Sequence, residues 1–124
     1  MSRKVLVVED EANIVDSLSF LMKQAGFEVL VARDGDTAIR MMQRRPADLV
    51  LLDIMLPRRD GYEVCREIRS NPEWASVRII LLTARGRDLD RRKGMQMGAD
   101  AYITKPFSTR DIVARVQDLL GPES

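Results

Sequence analysis

Four short apolar runs in this chain end in polar residues of the kinds that handle metal ions and phosphate. Lys4–Val8 runs into Glu9, Asp10 and Glu11, Asp48–Leu52 into Asp53, Arg78–Leu82 into Thr83, and Ala101–Thr104 into Lys105 and Pro106. Singly, each has an ordinary explanation. Acids ahead of a helix are usually caps or dipole partners, and an Asp at a strand end usually forms a turn. A Thr after a strand is an ordinary β-branched residue, and a Lys before Pro is usually a surface lysine. Jointly they say more. Carboxylates gathered in one crevice repel one another and raise each other's pKa unless a cation joins them. A hard divalent ion with oxygen ligands answers that need, and Mg2+ suits one or two carboxylates plus a phosphate. A lysine and a hydroxyl on adjacent strands supply the remaining charge and hydrogen bond that a phosphoryl group requires.

The elements that must bring these residues together follow from the hydrophobic pattern. Phe27–Ala32 adds a fifth run of strand length, ending in Arg33 and Asp34, which offer nothing comparable. Several runs are almost continuously apolar, as strands covered on both faces must be. Between them lies helical spacing. Ile14, Val15, Leu18, Leu21, Met22 and Ala25 form one stripe, stopped by Gly26, and Thr37–Arg45 forms a second, ended by Pro46. Tyr62, Cys65 and Ile68 form a third, and Ile112, Val113, Val116, Leu119 and Leu120 a last one, capped by Ser108 or Thr109. A fourth helix, roughly Arg87 to Met97, has low intrinsic stability because Gly94 interrupts it within a dense charge cluster. Strand and helix alternating five times predict an α/β fold with a doubly wound five-stranded parallel sheet and five helices. In such sheets ligands bind at the carboxyl ends of the strands, where the residues above sit.

Composition narrows the chemistry. A length of 124 residues fits one domain, with an ordered core over about 3–120. The net charge of +1 is too balanced to announce a nucleic-acid surface, so no direct nucleic-acid partner is expected. No apolar run approaches the roughly 20 residues that span a bilayer, so neither a membrane segment nor a membrane partner is expected. Cys65 is the single cysteine, in keeping with a reducing, cytoplasmic setting. There are no histidines, which excludes a His-based zinc site, a Ser-His-Asp triad and a Cys-His pair within this chain. Any phosphohistidine chemistry needs a histidine on another protein.

Val7-Val8-Glu9-Asp10-Glu11, Leu51-Leu52-Asp53-Ile54-Met55-Leu56-Pro57, Asp60-Gly61, Leu82-Thr83-Ala84 and Gly98-Ala99-Asp100-Ala101-Tyr102-Ile103-Thr104-Lys105-Pro106-Phe107 together resemble the response-regulator receiver domains of bacterial two-component systems. The resemblance covers essentially the whole chain. It implies a flavodoxin-like fold with strand order 2-1-3-4-5. Asp53 would accept the phosphoryl group from a sensor histidine kinase or a histidine phosphotransfer protein. Asp10 would ligate Mg2+ directly, with Glu9 contacting it directly or through water, and Asp53 and the backbone carbonyl of Met55 completing the protein's share. Thr83 would bond the phosphoryl oxygens and Lys105 would neutralise one of them. The Lys105–Pro106 bond would be cis, and Tyr102 would turn inward when Thr83 moves. Thr83, Tyr102 and Pro106 thus make up the expected switch. The first acidic position, Glu9, is one where Asp also occurs in the family.

The resemblance implies a phosphorylatable signalling switch rather than a metabolic enzyme. The alternative is a Mg2+-dependent phosphatase or hydrolase with an Asp nucleophile. That class normally carries a second catalytic Asp two residues after the nucleophile, where this chain has Met55, and a cap or larger chain for its substrate. A nucleotide-binding module is disfavoured because neither G-x-G-x-x-G nor a Walker motif occurs. For output, the fourth helix, fifth strand and fifth helix carry Arg91, Asp100, Asp111 and Arg115. This pattern is closest to receivers that dimerise on that face and drive winged-helix domains, although Ala101 stands where that subfamily tends to carry an acid. The expected partner on this face is a downstream protein or a second copy of the chain. No effector domain follows Leu120, so the expectation is a stand-alone receiver, with a receiver excised from a longer regulator as the alternative.

Overall fold

The computed structural model describes residues 3–83, Arg92 and 95–121. Its centre is a parallel sheet of β1 (Lys4–Val8), β2 (Glu28–Ala32), β3 (Leu49–Asp53), β4 (Arg78–Thr83) and β5 (Ala101–Thr104). The order is β2-β1-β3-β4-β5, the flavodoxin-like order expected. Four α-helices are bounded among the described residues, α1 (Ala12–Gln24), α2 (Gly35–Arg44), α3 (Gly61–Ser70) and α4 (Thr109–Leu120), with a 3-10 turn over Pro72–Trp74. The helix expected over Arg87 to Met97 lies largely outside the described residues, although Arg92, Met95 and Gln96 are helical.

Successive side chains of a strand point to opposite faces, so each central strand feeds two cores. Val5 and Val7 of β1, Leu49 and Leu51 of β3, and Ile80 and Leu82 of β4 pack with Leu18 and Met22 of α1 and Ile112 and Val116 of α4. Leu6 and Val8, Val50 and Leu52, and Ile79 and Leu81 pack on the opposite face with Ile39 and Met42 of α2 and Val64, Cys65 and Ile68 of α3. This two-sided burial is why β1, β3 and β4 read as nearly continuous apolar runs. The edge strand β2 is only partly covered.

Local chemistry sets the helix ends, and several differ from the sequence-based expectation. Helix α2 starts at Gly35 rather than Thr37, because the Asp34 side chain caps it by accepting the Thr37 N–H at 2.8 Å. Asp60 caps α3 through the Glu63 N–H at 2.9 Å, and Ser108 caps α4 through Asp111. The α1 terminus departs most: Glu11 occupies the cap position without a side-chain cap bond. Strand β2 begins at Glu28, since the Phe27 N–H is drawn back to the Met22 carbonyl. Strand β3 begins at Leu49 and extends through Asp53, which pairs with Leu82.

The loop after β3 is held against α3 at a very short approach. The Gly61 N–H donates to the Ile54 carbonyl at 2.9 Å. A Cβ at Gly61 would meet the Asp53 carbonyl oxygen at 2.4 Å and Ile54 Cα at 2.8 Å, both backbone atoms that cannot swing aside. Gly61→Ala should therefore destabilise the domain by about 1–3 kcal/mol, the usual cost of forcing atoms into a packed site. Urea unfolding followed by circular dichroism measures this, and an unchanged midpoint would show that the loop yields freely.

Candidate active site

Glu9, Asp53 and Thr83 are the buried polar residues among those described, 1%, 4% and 1% exposed respectively. All three stand at the carboxyl ends of the central strands, where parallel strands deliver their last side chains to one edge. Lys105 reaches this cluster from the end of β5. Its Nζ donates to Glu9 Oε1 at 2.8 Å and lies 3.2 Å from Asp53 Oδ1. Its backbone N–H donates to the Thr83 carbonyl at 2.7 Å, which ties the ends of β4 and β5 together. The Lys105–Pro106 peptide bond is cis, as expected. Carboxylate oxygens of Glu9, Asp10 and Asp53 lie within 4.8 Å of one another, with Asp10 exposed and the other two buried.

The electrostatics of this cluster are unequal. Burial first, and the neighbouring Glu9 charge second, push the Asp53 carboxyl up to about 6, against the pull of Lys105. Burial also works to raise Glu9, yet the Lys105 hydrogen bond and the Glu11 N–H together hold it below the ordinary value. Burial tends to lower Lys105, but its bond to Glu9 and the Asp53 charge leave it raised, so the ammonium stays charged. One ammonium thus faces two buried carboxylates, with the exposed Asp10 carboxylate beside them, and Asp53 is the group left short of compensation. An all-oxygen donor set with surplus negative charge fits a hard divalent cation such as Mg2+.

The remaining expected residues are near but differently placed. Met55 has an exposed side chain, leaving its backbone carbonyl as its only suitable donor. Tyr102 is half-buried on β5, in register with Leu81, and lines an open groove of about 470 Å³ with Pro106, Phe107 and Arg115. Two features went unforeseen. Glu9 is the principal hydrogen-bond partner of Lys105, which the order of residues along the chain does not reveal because they lie 96 positions apart. Asp100, read from sequence as part of the output face, is engaged within the domain. Its Oδ2 accepts from Arg69 Nη2 at 2.6 Å and from the Ile79 N–H at 2.8 Å, and Arg78 lies 3.4 Å from its Oδ1.

Residues 5–117 match the family model of the response regulator receiver domain. The chain belongs to that family. Among solved structures, a putative response regulator from Chloroflexus aurantiacus superposes with a TM-score of 0.94 at 31% identity, covering 97% of this chain and 98% of that one. The beryllofluoride-activated DrrB receiver domain gives a TM-score of 0.87 at 35% identity over 97% and 98% of the two chains. The receiver domain of a sensor histidine kinase from Pseudomonas aeruginosa, which has a magnesium ion coordinated in its active-site cleft, gives 0.89 at 32% identity over 98% and 100%. This receiver domain is accordingly a signalling domain of two-component systems rather than a metabolic enzyme. Receiver domains interact with histidine kinases and with downstream targets. No helix among the described residues is long and apolar enough to cross a membrane.

The raised Asp53 pKa makes stability depend on pH with a definite sign. The unfolded carboxyl titrates near 3.8 and the folded one near 6. The stability that protonated Asp53 contributes is fully present below 3.8 and is lost as pH rises through 6. Asp53→Asn keeps the neutral form at every pH. In metal-free buffer it should match the parent near pH 4 and exceed its stability at pH 7, by on the order of 2 kcal/mol. Paired urea titrations at the two pH values test this. Equal stability of variant and parent at pH 7 would mean Lys105 alone neutralises the pair.

Proposed function

We propose that this receiver domain takes a phosphoryl group onto Asp53 from a phosphohistidine of a sensor kinase or phosphotransfer protein, in the cytoplasm, and passes the signal to a downstream protein. The observation that carries this reading is the buried Asp53 carboxylate, 3.2 Å from the Lys105 ammonium and beside two more carboxylates on one sheet edge. Asp10, Asp53 and the Met55 carbonyl would hold Mg2+, with Glu9 alongside. When bound, Mg2+ supplies charge neutralisation for the carboxylates and for the oxygens of the incoming phosphoryl group.

Asp53 is the nucleophile in this scheme. One of its oxygens forms the new bond to phosphorus as the bond from phosphorus to the imidazole nitrogen breaks, and the electron pair leaves with the donor's imidazole. Lys105 faces the charge that spreads over the phosphoryl oxygens, and the Thr83 hydroxyl bonds one of them. Phosphoryl transfer asks chiefly for positioning and charge neutralisation, and the absence of histidine in this chain is no handicap to it. Hydrolysis of the aspartyl phosphate by water returns the domain to its resting state. Before that hydrolysis, the bulkier, more negative group on Asp53 draws Thr83, and Tyr102 on the neighbouring strand responds. Phosphorylation biases this equilibrium only by the contacts that differ between the two states. Signal output would run through the face bearing Tyr102 and Arg115, either to a target protein or to a second copy. The expected responding segment Ala84 to Met97 falls mostly outside the described residues.

Incubation with acetyl phosphate and Mg2+, read by intact-mass spectrometry, should add one phosphate to the parent and none to Asp53→Asn. Equal labelling of the variant, or undiminished labelling in excess chelator, would refute the assignment. Lys105→Ala should still take up some phosphate but should lose the chemical-shift change around Tyr102 that accompanies it. Because Asp53 must be ionised to bind the cation, Mg2+ affinity should fall by about tenfold per pH unit below 6 and level off above it. A titration series followed by NMR reads this directly, and a flat profile from pH 5 to 7 would contradict it.

A further inference from the structure

We infer that α3 is a strut that links the carboxylate site to the entry of β5, with Arg69 as the fastening at its far end. The signalling consequence of this link rests on the functional reading above, whereas the mechanical link does not. The near end of α3 is seated on the backbone of Asp53 and Ile54. The Gly61 N–H donates to the Ile54 carbonyl at 2.9 Å, and the Asp53 carbonyl packs so closely on Gly61 that a Cβ has no room. The far end lies about 15 Å away, the length of a ten-residue helix. It grips three positions of the segment leading into β5. Cys65 Sγ donates to the Met97 carbonyl at 3.5 Å, Arg69 Nε to the Gly98 carbonyl at 2.7 Å, and Arg69 Nη2 to Asp100 Oδ2 at 2.6 Å.

A purely structural role for Arg69 would be to set β5 beside β4, and that role is already filled. The Asp100 N–H donates to the Ile79 carbonyl at 2.8 Å, and the Ile79 N–H donates back to Asp100 Oδ2 at 2.8 Å. These bonds register the start of β5 on β4 without help from α3. What Arg69 adds is a third element on the same carboxylate oxygen, so that α3, β4 and β5 meet at Asp100 Oδ2. A planar guanidinium suits the task, because its rigid fork can hold two acceptors at once. Gly98 lets the turn lie against the arginine stem, since a Cβ there would meet Arg69 Cγ at 2.7 Å. The two side chains are 22% and 20% exposed, and partly buried pairs are screened less than surface ones. Between its ends α3 has Val64, Cys65 and Ile68 fully buried, and a close-packed interior transmits displacement rather than absorbing it. On the functional reading, a phosphoryl group on Asp53 presses on the backbone that α3 abuts, and the displacement arrives at Gly98–Asp100, two residues before Tyr102. The Thr83 route reaches β5 at its other end, where Thr83 pairs with Thr104.

Two NMR comparisons on the full chain test this. In the first, Gly61→Ala disturbs the near end of α3 in metal-free protein, and amide shift changes are read from Gly98 to Ala101. Ile54→Val is a milder disturbance of the same seat and serves if Gly61→Ala does not fold. The changes should be clear with Arg69 present and several-fold smaller in Arg69→Gln, because coupled positions fail additivity. Arg78→Gln is the control. It removes the other arginine on Asp100, 3.4 Å from Oδ1, but one that belongs to β4 rather than α3. The response should survive in Arg78→Gln. Its loss in both variants would assign the effect to the charge on Asp100 and overturn the strut, as would equal responses with and without Arg69. In the second comparison, parent and Arg69→Gln are saturated with Mg2+ and beryllofluoride. Shift changes from Gly98 to Ala101 should shrink several-fold in the variant while those at Thr83 and Thr104 persist. Undiminished changes in Arg69→Gln would overturn the strut. Should the parent show no change around Asp53 under these conditions, the functional reading fails, and the metal-free comparison still decides whether α3 links the two ends.

Discussion

Two buried carboxylates share one ammonium at the carboxyl edge of the sheet, and the site's behaviour follows from that imbalance. Burying a charge is costly unless it is paired and hydrogen-bonded. Glu9 meets the condition, with an ammonium on one oxygen and two backbone N–H groups on the other. Asp53 does not, and its carboxyl is pushed up to about 6. The domain therefore carries a buried, under-compensated carboxyl beside a satisfied one. A cation or a phosphoryl group with its own counter-charge relieves what the resting protein leaves uncompensated. Buried carboxyls perturbed by desolvation and a neighbouring charge cluster at functional sites.

The scaffold keeps that imbalance in place. Three central strands are buried on both faces, so their termini cannot drift without disturbing two cores. The β3–α3 connection is held by the Gly61 approach to the Asp53 carbonyl, and the ends of β4 and β5 are joined by the Lys105 N–H to Thr83 bond. Remote from the site, Arg69 fastens the turn before β5. It donates from Nε to the Gly98 carbonyl at 2.7 Å and from Nη2 to Asp100, and Gly98 has a φ of 99° with no room for a Cβ against the Arg69 side chain. Asp100 is thereby committed to the domain's own structure, which leaves Tyr102, Asp111 and Arg115 as the more accessible polar features near the groove on that face.

Much of this was legible along the chain because the two periodicities of secondary structure are local. Alternation of apolar runs with helical stripes specified five strands and their helices, and the polar residues following those runs specified which positions share the carboxyl edge of the sheet. The charge cluster and the absence of histidine directed the chemistry toward a cation and a phosphoryl group. Boundaries were less legible. Asp34 and Asp60 each extend their helices by a side-chain bond whose geometry depends on the chain's local path, and Asp53 joined β3 only because Leu82 lies opposite it.

What the tertiary structure decided is the pairing. Sequence order determined that Glu9, Asp10, Asp53, Thr83 and Lys105 would be neighbours, since parallel strands of one sheet deliver their ends to one edge. It carried no information on which oxygen faces which donor, because hydrogen-bond geometry and desolvation depend on distances of a few tenths of an ångström between segments remote in the chain. Only the folded arrangement gives Lys105 chiefly to Glu9, gives the α1 entry to that same carboxylate, and leaves Asp53 buried and under-compensated.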